Sequence, residues 1–412
     1  MSEQSDPNPG DETLLVTISG DDRPGLTSTL FDAIADVGAQ VRDLEQVVVR
    51  DHLILSMLLA AGPETDRLER VVKVVGHSLG LKVKVRRGIG DNASRRTGRA
   101  VVVVLGSPLR AGAVAAVTSR IASHGANIDR IRRLSRFPVT TVELDISGAE
   151  LDRLRRELAL EAVVQGVDIA VSAGGLARRG RRLVIMDVDS TLIQQEVIEL
   201  LASHCGREAE VAAVTDRAMR GELDFAQSLR ERVRALAGLD ASVLDTVRQA
   251  VVLTPGARTL VRTLKRLGFT VALVSGGFIE VVGPLADELG IERVEANRLE
   301  IVDGRLTGRV VGEIVDRAGK ARALRRFAAE AGLPLSRTVA IGDGANDLDM
   351  LAAAGLGVAC NAKPIVREQA DTAVTVPYLD AVLYLLGITR EEIEEADAAD
   401  GTPTASPLLP AR

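Results

Sequence analysis

The hydrophobic pattern of the chain changes near its middle. In the first half, short apolar strands and helices with apolar spacing follow the order strand, helix, strand, strand, helix, strand, and this order occurs twice. Its first occurrence comprises segments near 14–18, 27–38, 44–50, 52–60, 65–78 and 81–86. The order is that of the ferredoxin-like split βαβ unit, so we predict two small α+β domains.

The second half instead contains continuous apolar runs at 183–186, 270–274 and 338–341, separated by helical segments. An unbroken apolar run is typical of a parallel strand that is buried on both faces. This pattern predicts an α/β domain with a doubly wound parallel sheet.

The two α+β stretches match each other in sequence. Gly25 and Gly112 are separated by 87 residues, and so are Gly38 and Gly125. The alternative is two unrelated domains that happen to have helices ending in glycine. An internal duplication is favoured, because small as well as apolar residues around these glycines recur at the same interval.

Shifts in composition suggest the domain boundaries. A polar lead at 1–12 is expected to be disordered, and the glycine-rich and then basic segment AGGLARRGRR marks a later linker. The predicted domains are 13–90, 98–173 and 181–390, the last with a helical cap at about 195–265, followed by an acidic, Pro-containing tail at 391–412.

Composition excludes several classes of function. The chain has 51 Lys and Arg against 57 Asp and Glu, a net charge of −6, and 2% aromatic residues, so neither charge nor stacking favours nucleic acid. Cys205 and Cys360 lack the spacing of a zinc ribbon. The start resembles no signal peptide, and no apolar stretch reaches membrane-spanning length. We expect a cytoplasmic protein without a nucleic-acid or membrane partner.

Polar residues follow each apolar run of the second half. Asp187 and Asp189 follow the first, SGG at 275–277 follows the second, and GDGAND at 342–347 follows the third. Ligands bind at the carboxyl ends of parallel strands, where these groups would meet. Clustered carboxylates suit phosphate chemistry only with positive charge, which Mg²⁺ and Lys320 could supply. Each motif alone has a structural explanation, such as a turn or a surface lysine, but their joint order favours a phosphate site.

The segments DVDST, VSGG, the lysine of DRAGK and GDGANDLDM resemble, in order, the four motifs of haloacid dehalogenase-type phosphatases. This resemblance implies that Asp187 is a nucleophile forming an aspartyl-phosphate and that Asp189 is the general acid and base. It implies phosphoryl contacts from Ser275, Gly276, Lys320 and Asn346. It implies Mg²⁺ ligands from Asp187, the backbone carbonyl of Asp189 and Asp343, with Asp347 close by.

The segment after the first motif is more specific. Glu196 and the stretch AMRGELDFAQSLRERV resemble the cap of phosphoserine phosphatases within that superfamily. The resemblance places Met219, Phe225 and Arg232 around a substrate, with Arg232 on a carboxylate and Glu196 on an ammonium group. It implies hydrolysis of O-phospho-L-serine to L-serine and phosphate, the final step of serine biosynthesis.

Each α+β stretch resembles an ACT domain, the regulatory module of amino-acid enzymes. GDDRPG occupies the position of the ligand loop in the first copy, whereas GSPLRAG in the second lacks its Asp and its Pro-Gly pair. The resemblance implies an amino-acid effector, for which serine is our hypothesis, and a homodimer. The candidate effector residues are Asp22, Gly25, Gly106 and Asn127.

Two other functions stay open at the level of sequence. One is a related phosphatase or phosphotransferase acting on another small phosphate ester. The other is a non-catalytic amino-acid sensor with a vestigial phosphatase domain, although the complete set of motif residues argues against it.

Overall fold

The computed structural model describes residues 12–90, 98–136, 138–175, 180, 182–219, 222–402 and 404, except the side chain of Met219. The predicted disordered lead, apart from Glu12, and the last part of the predicted tail lie outside the described residues. The chain forms two compact units, residues 1–95 and 96–412, and each is described by itself.

The first unit is a four-stranded antiparallel sheet with two helices on one face. Its elements are β1 (Glu12–Asp21), α1 (Leu26–Ala35), β2 (Gln40–Val49), β3 (His52–Ala60), α2 (Thr65–Ser78) and β4 (Lys82–Ile89). The strand order β2-β3-β1-β4 confirms the predicted ferredoxin-like topology. Along β1, Leu14, Val16 and Ile18 are buried whereas Leu15 is exposed, as expected for a strand with one covered face.

The second unit begins with another sheet of the same topology, ordered β6-β7-β5-β8. Its elements are β5 (Ala100–Gly106), α3 (Ala111–Ser123), β6 (Asn127–Ser135), β7 (Thr140–Ser147), α4 (Leu151–Gln165) and β8 (Asp168–Ala173). Every residue of β5 is buried, because Val102 and Val104 face α3 and α4 while Val101 and Val103 join the core of the following α/β domain. Coverage on both faces explains why β5 is an unbroken apolar run.

A seven-stranded sheet, ordered β12-β11-β10-β9-β13-β14-β15, forms the rest of this unit and confirms the predicted doubly wound fold. Its strands are β9 (Leu183–Met186), β10 (Thr270–Phe278), β11 (Arg293–Val302), β12 (Arg305–Val311), β13 (Thr338–Gly342), β14 (Leu356–Cys360) and β15 (Thr372–Val374). Its helices are α9 (Ala257–Arg266), α10 (Ile279–Leu289), α11 (Arg317–Glu330), α12 (Leu348–Ala353), α13 (Pro364–Gln369) and α14 (Val382–Leu385). The central strand β9 is parallel to β10 and β13, and alternate β9 residues enter cores on opposite faces.

Between β9 and α9 the chain forms a helical insertion, which we call the cap. Its helices are α5 (Val197–His204), α6 (Glu208–Met219), α7 (Phe225–Arg234) and α8 (Val243–Ala250). An antiparallel bridge between Ile193 and Leu253 joins its two ends, and the Gln194 amide donates to the Val252 carbonyl at 2.9 Å. The predicted cap, 195–265, was therefore too long: Leu260 of α9 is buried in the core beneath the sheet.

The second α+β sheet packs against the edge of the seven-stranded sheet. The Asp168 carboxylate accepts hydrogen bonds from the Thr375 amide at 2.8 Å and its hydroxyl at 3.1 Å, and the Thr372 hydroxyl donates to the Ile169 carbonyl at 2.8 Å. The second α+β domain and the α/β domain thus share one core rather than being joined only by a linker.

The tail prediction was wrong for its first part. Residues Arg390–Ala399 form the helix α15, which starts with a capping box between Thr389 and Glu392. The buried Asp397 carboxylate accepts two hydrogen bonds from Arg262 of α9, at 2.8 and 2.6 Å. None of the helices in the described part of the chain has both the length and the apolar composition of a membrane span.

Candidate active site

A buried lysine lies between two carboxylates at the carboxyl ends of β9 and β13. Asp187 directly follows β9, and its amide donates to the Ile341 carbonyl of β13 at 2.9 Å. Lys320 of α11 has its Nζ 2.7 Å from Asp187 Oδ1 and 2.7 Å from Asp347 Oδ1. All three side chains are nearly inaccessible to solvent. The motif residues of three chain segments therefore meet in one buried ion-pair cluster.

A third carboxylate completes an acidic group. Asp187, Asp343 and Asp347 each offer an oxygen within 4.8 Å of the others. Thr191 donates to Asp343 Oδ1 at 2.8 Å, and the Gly344 amide donates to Asp347 Oδ2 at 3.0 Å, so both carboxylates are held in place. One lysine cannot neutralise three carboxylates, and oxygen-only donors are what hard cations such as Mg²⁺ prefer. The donor set therefore fits Mg²⁺.

The pKa values of the site residues are shifted because several buried carboxylates lie close together. Burial and the neighbouring Asp347 raise the pKa of Asp187 well above its ordinary value, and burial raises the pKa of Asp343 to about 6. Burial alone would lower the pKa of Lys320, but the carboxylates of Asp187 and Asp347 raise it above its ordinary value. The lysine is therefore charged at neutral pH, and a cation among the carboxylates would favour their ionised forms.

Asp189 lies in a different environment. The Val197 amide donates to its Oδ1 at 3.1 Å, and the Ser275 hydroxyl lies 3.4 Å from its Oδ2. Burial and the charge of Glu196 raise the pKa of Asp189 to about 7. A carboxyl group with a pKa near neutrality can both donate and accept a proton, which is the requirement for general acid–base catalysis.

The loop after Ser275 presents backbone close to these groups. The Gly277 amide donates to Ser275 Oγ at 2.8 Å. A Cβ on Gly276 would lie 3.1 Å from the ring of Phe225, so glycine lets the cap approach this loop. The half-buried Asn346 lies in the 3₁₀ turn Ala345–Asp347 that follows the third motif.

The cap contributes two residues of opposite charge. The Ser190 hydroxyl donates to Glu196 Oε1 at 2.8 Å, from a backbone with φ of 56°. Arg232 of α7 has a buried Nε without a hydrogen-bond partner among the described residues. Burial lowers the pKa of Arg232, and the charges of Glu196, Glu199 and Asp189 act in the opposite direction. The charge of Asp189 thus favours the protonated form of this guanidinium. The side chain of Met219 lies outside those described.

The candidate effector residues Asp22, Gly25 and Gly106 lie at or just after the end of the first strand of their copy, whereas Asn127 starts the second strand of its copy. Gly25, with φ of 92°, precedes α1, and the exposed Asp22 donates its amide to the Asp51 carbonyl at 2.7 Å. Gly106 ends β5, where a Cβ would meet the Leu109 backbone at 2.8 Å, and Asn127 begins β6. Their role as an effector site stays a prediction.

Three residues that support this site were not predicted from the sequence. Thr191 orients Asp343 and Ser190 orients Glu196, and both lie in the DVDST motif, whose hydroxyl groups were the available signal. Asn297 hydrogen-bonds to the backbone of Gly276. The sequence signal for Asn297 would have been a polar residue on the same face of β11 as the buried Leu299.

Comparisons with known families agree with this architecture. The ACT domain family matches residues 12–86 and again 99–172. The haloacid dehalogenase-like hydrolase family matches residues 184–352, which include β9, the cap and the third motif.

Two relatives match over nearly their whole length. The phosphoserine phosphatase of Streptomyces coelicolor is 64% identical over 388 residues, covering 93% of this chain and 94% of that protein. The phosphoserine phosphatase SerB2 of Mycobacterium tuberculosis is 50% identical over 397 residues, covering 95% of this chain and 97% of that protein.

Solved structures also match beyond the α/β domain. A probable phosphoserine phosphatase from Vibrio cholerae is 35% identical with a TM-score of 0.56, covering 75% of this chain and 90% of that one. A haloacid dehalogenase family hydrolase from Salmonella enterica serovar Typhi is 26% identical with a TM-score of 0.60, covering 69% of this chain and 98% of that one.

Proposed function

The chain belongs to the phosphoserine phosphatase family of haloacid dehalogenase-like hydrolases, and we propose that it hydrolyses O-phospho-L-serine to L-serine and phosphate with Mg²⁺. The observation that carries the proposal is the buried Nε of Arg232, which has no hydrogen-bond partner in the described part of the chain, together with the charges of Glu196 and Asp189 that act on this guanidinium. A buried N–H group without a hydrogen-bond partner is costly unless a ligand supplies one.

The cap residues would select the amino-acid head of the substrate. Arg232 would bind its carboxylate, for which the planar guanidinium is suited, and Glu196 would bind its ammonium group. Phe225 would cover the substrate from the cap side, because its ring lies so close to the glycine loop that a Cβ on Gly276 would be 3.1 Å from it. Closure of the cap would exclude water from the reacting phosphate.

In the first step, Asp187 would attack phosphorus while the bond from phosphorus to the serine oxygen breaks. Asp189 would give its proton to that oxygen, so that L-serine leaves as the alcohol. Lys320, the Ser275 hydroxyl and the Gly276 amide would hold the phosphoryl oxygens, and Asn346 would contact them from the opposite loop.

In the second step, Asp189 would take a proton from water, which attacks phosphorus and breaks the bond to Asp187. Phosphate leaves, and Asp189 is again protonated. Asp187, Asp343 and the backbone carbonyl of Asp189 would hold Mg²⁺, with Asp347 adjacent, and the ion would offset the negative charge that otherwise repels the nucleophile from the phosphate.

Substrate specificity is tested by measuring phosphate release from a panel of phosphomonoesters with and without Mg²⁺. We expect phosphoserine to be preferred and Mg²⁺ to be required. Arg232→Ala should lower kcat/KM for phosphoserine about 100-fold, because a charged hydrogen-bond pair is lost, and much less for an ester without a carboxylate. Arg230→Ala, on the exposed face of the same helix, is the control. Unchanged phosphoserine turnover in Arg232→Ala would exclude amino-acid recognition by this residue.

The covalent intermediate is tested with Asp189→Asn. This variant should still transfer some phosphate to Asp187 but hydrolyse the product slowly, because the base is missing. Acid-quenched samples should therefore carry one phosphoryl group by intact mass, whereas Asp187→Asn should carry none. A phosphoryl group mapped to residue 189 of the wild-type protein would reverse the two roles.

We further propose that the ACT domains bind an amino-acid effector, that serine is this effector, and that the protein is a cytoplasmic homodimer. Support comes from the two ACT matches and from the GDDRPG loop. Serine titrated into the wild-type protein and into Asp22→Ala should inhibit the wild type more strongly. Equal inhibition would leave product inhibition at the active site as the explanation, and light scattering gives the oligomeric state.

A further inference from the structure

Asn297 is a buried polar residue in β11, outside the four motifs, with 1% of its surface exposed. Both ends of its amide bind backbone. Its Nδ2 donates to the Gly276 carbonyl at 2.8 Å, and its Oδ1 accepts from the Val315 amide at 2.8 Å. Asn297 therefore links β11 to two separate loops of the site.

The first of these loops, Gly276 and Gly277, does not take part in the hydrogen-bond ladder between β10 and β11. Strands β10 and β11 pair in register as far as Ser275 and Ala296, and the next pair is Phe278 with Asn297. Gly276 and Gly277 therefore bulge out of the ladder. The Asn297 side chain supplies the hydrogen bond that the Gly276 carbonyl would otherwise miss.

The second loop leads to the lysine. Val315 directly precedes Asp316, whose side chain caps α11, and Lys320 lies in the first turns of that helix. The amide of Asn297 thus connects the backbone of the glycine loop to the segment that starts the helix of Lys320.

The peptide group between Gly276 and Gly277 connects the Asn297 side chain to Ser275. The carbonyl of that peptide accepts from Asn297, and its N–H, which belongs to Gly277, donates to Ser275 Oγ at 2.8 Å. Because the peptide is planar, fixing its carbonyl fixes the direction of its N–H. The Ser275 oxygen is then an acceptor towards the loop, and its own hydrogen can be donated towards Asp189 or a phosphoryl oxygen.

We propose that Asn297 is a positioning residue that orients the Ser275 hydroxyl through the Gly276–Gly277 peptide. The proposal rests on the proposed phosphatase activity but not on phosphoserine as the substrate. It differs from a role in stability alone, because the effect of replacing Asn297 must then depend on the hydroxyl of residue 275.

A double-mutant cycle tests this dependence. Asn297→Leu keeps a similar volume but removes both hydrogen bonds, and we expect it to lower kcat about 30-fold, because small errors in positioning are costly in phosphoryl transfer. In a Ser275→Ala background the same substitution should lower kcat less than about 3-fold, since the group it orients is gone. In an Arg232→Ala background the full loss should remain.

Equal losses in the wild-type and Ser275→Ala backgrounds, or no loss at all, would overturn the proposal. Thermal unfolding of each variant accompanies the kinetics. If Asn297→Leu does not fold, Asn297→Asp replaces it, because this variant retains an acceptor for the Val315 amide and lacks the donor to Gly276. Failure of both to fold would assign Asn297 to stability and overturn the positioning role.

The cycle separates this proposal from the proposed function. If the wild type prefers a different ester, the cycle is measured on that ester. If the wild type releases no phosphate from any ester, the proposed function fails, and the cycle is measured from the affinity for inorganic phosphate. Ser275-dependent loss of phosphate affinity would then still support the role of Asn297.

Discussion

At the scale of single residues, the site is built from backbone conformations that the sequence only partly signals. Ser190 has φ of 56°, in the left-handed region that side chains with a Cβ rarely adopt, and its hydroxyl donates to Glu196. Strain of this kind persists only where the surrounding structure enforces it. The hydrogen bond to Glu196 and the turn that follows β9 hold Ser190 in this conformation.

Replacing Ser190 separates strain from hydrogen bonding. Ser190→Gly should be more stable than Ser190→Ala by about 1 kcal/mol, because glycine adopts positive φ freely. Both variants lose the hydrogen bond to Glu196, so both should raise KM for phosphoserine while changing kcat less. Urea unfolding and initial rates measure the two effects. Greater stability of Ser190→Ala would show that the left-handed conformation is not strained.

The contact between Lys320 and Asp347 could not be predicted from the sequence alone. Both residues were singled out by their motifs, but their contact joins positions 27 residues apart on different elements. Spacing along the chain carries no information on which of several strand-end carboxylates a lysine will meet. Only the packing of α11 against the strand ends decides it.

At the scale of elements, the contact between β8 and β15 combines a buried carboxylate with two threonines. Burial raises the pKa of Asp168 to about 6, although the hydrogen bonds from Thr375 oppose the shift. The folded protein therefore binds this proton more tightly than the unfolded chain does, and its stability falls as pH rises through the interval between the two pKa values.

We expect Asp168 to lower the free energy of unfolding by up to about 3 kcal/mol between pH 4 and pH 6. Asp168→Asn removes this proton equilibrium and retains an acceptor for the Thr375 amide, so it should be more stable than the wild type at pH 7. Denaturant unfolding over this pH range measures the effect, with exposed Asp245→Asn as the control. A variant less stable than the wild type at pH 7 would contradict the expectation.

Helix α15 shows why an acidic segment was misjudged as a tail. Its composition is that of a solvated segment, and its helical structure depends on partners elsewhere in the chain. Asp397 is inaccessible to solvent and bound by Arg262 and Arg266 of α9. A contact over such a separation leaves no pattern in the local sequence.

Asp397→Asn should lower the free energy of unfolding by about 3 kcal/mol, because it leaves two arginines without their buried partner. Glu395→Gln, on the exposed side of the same helix, should change stability little. Thermal unfolding of the two variants tests the difference. Similar values for both would mean that α15 does not depend on this ion pair.

At the scale of the whole molecule, sequence patterns predicted the topologies well because each depends on local periodicity. The duplicated α+β order and the strand-end motifs are encoded in consecutive residues. The packing of the second α+β sheet on the α/β domain is not, although the unbroken apolar run of β5 was a signal that both of its faces are covered.

This packing decides where the chain can be divided. A protein starting at residue 96 retains a complete core and should fold and release phosphate. A protein starting near residue 180 loses Val101, Val103 and Leu105 from the shared core, and the apolar surface of the α/β domain that they cover should lower the unfolding temperature and promote aggregation once it is exposed. Equal stability of the two truncated proteins would show that this core contributes little.

The closed base of the cap has a further consequence. The chain enters and leaves the cap side by side, since the Gln194 amide donates to the Val252 carbonyl and Ile193 forms a bridge with Leu253, so these contacts already hold the ends of the insertion together. A foreign helical segment of another length could therefore replace residues 196–250 at little additional entropic cost. The residues that act on the phosphoryl group would stay at the strand ends, while the new helical segment would determine which phosphate ester can bind there.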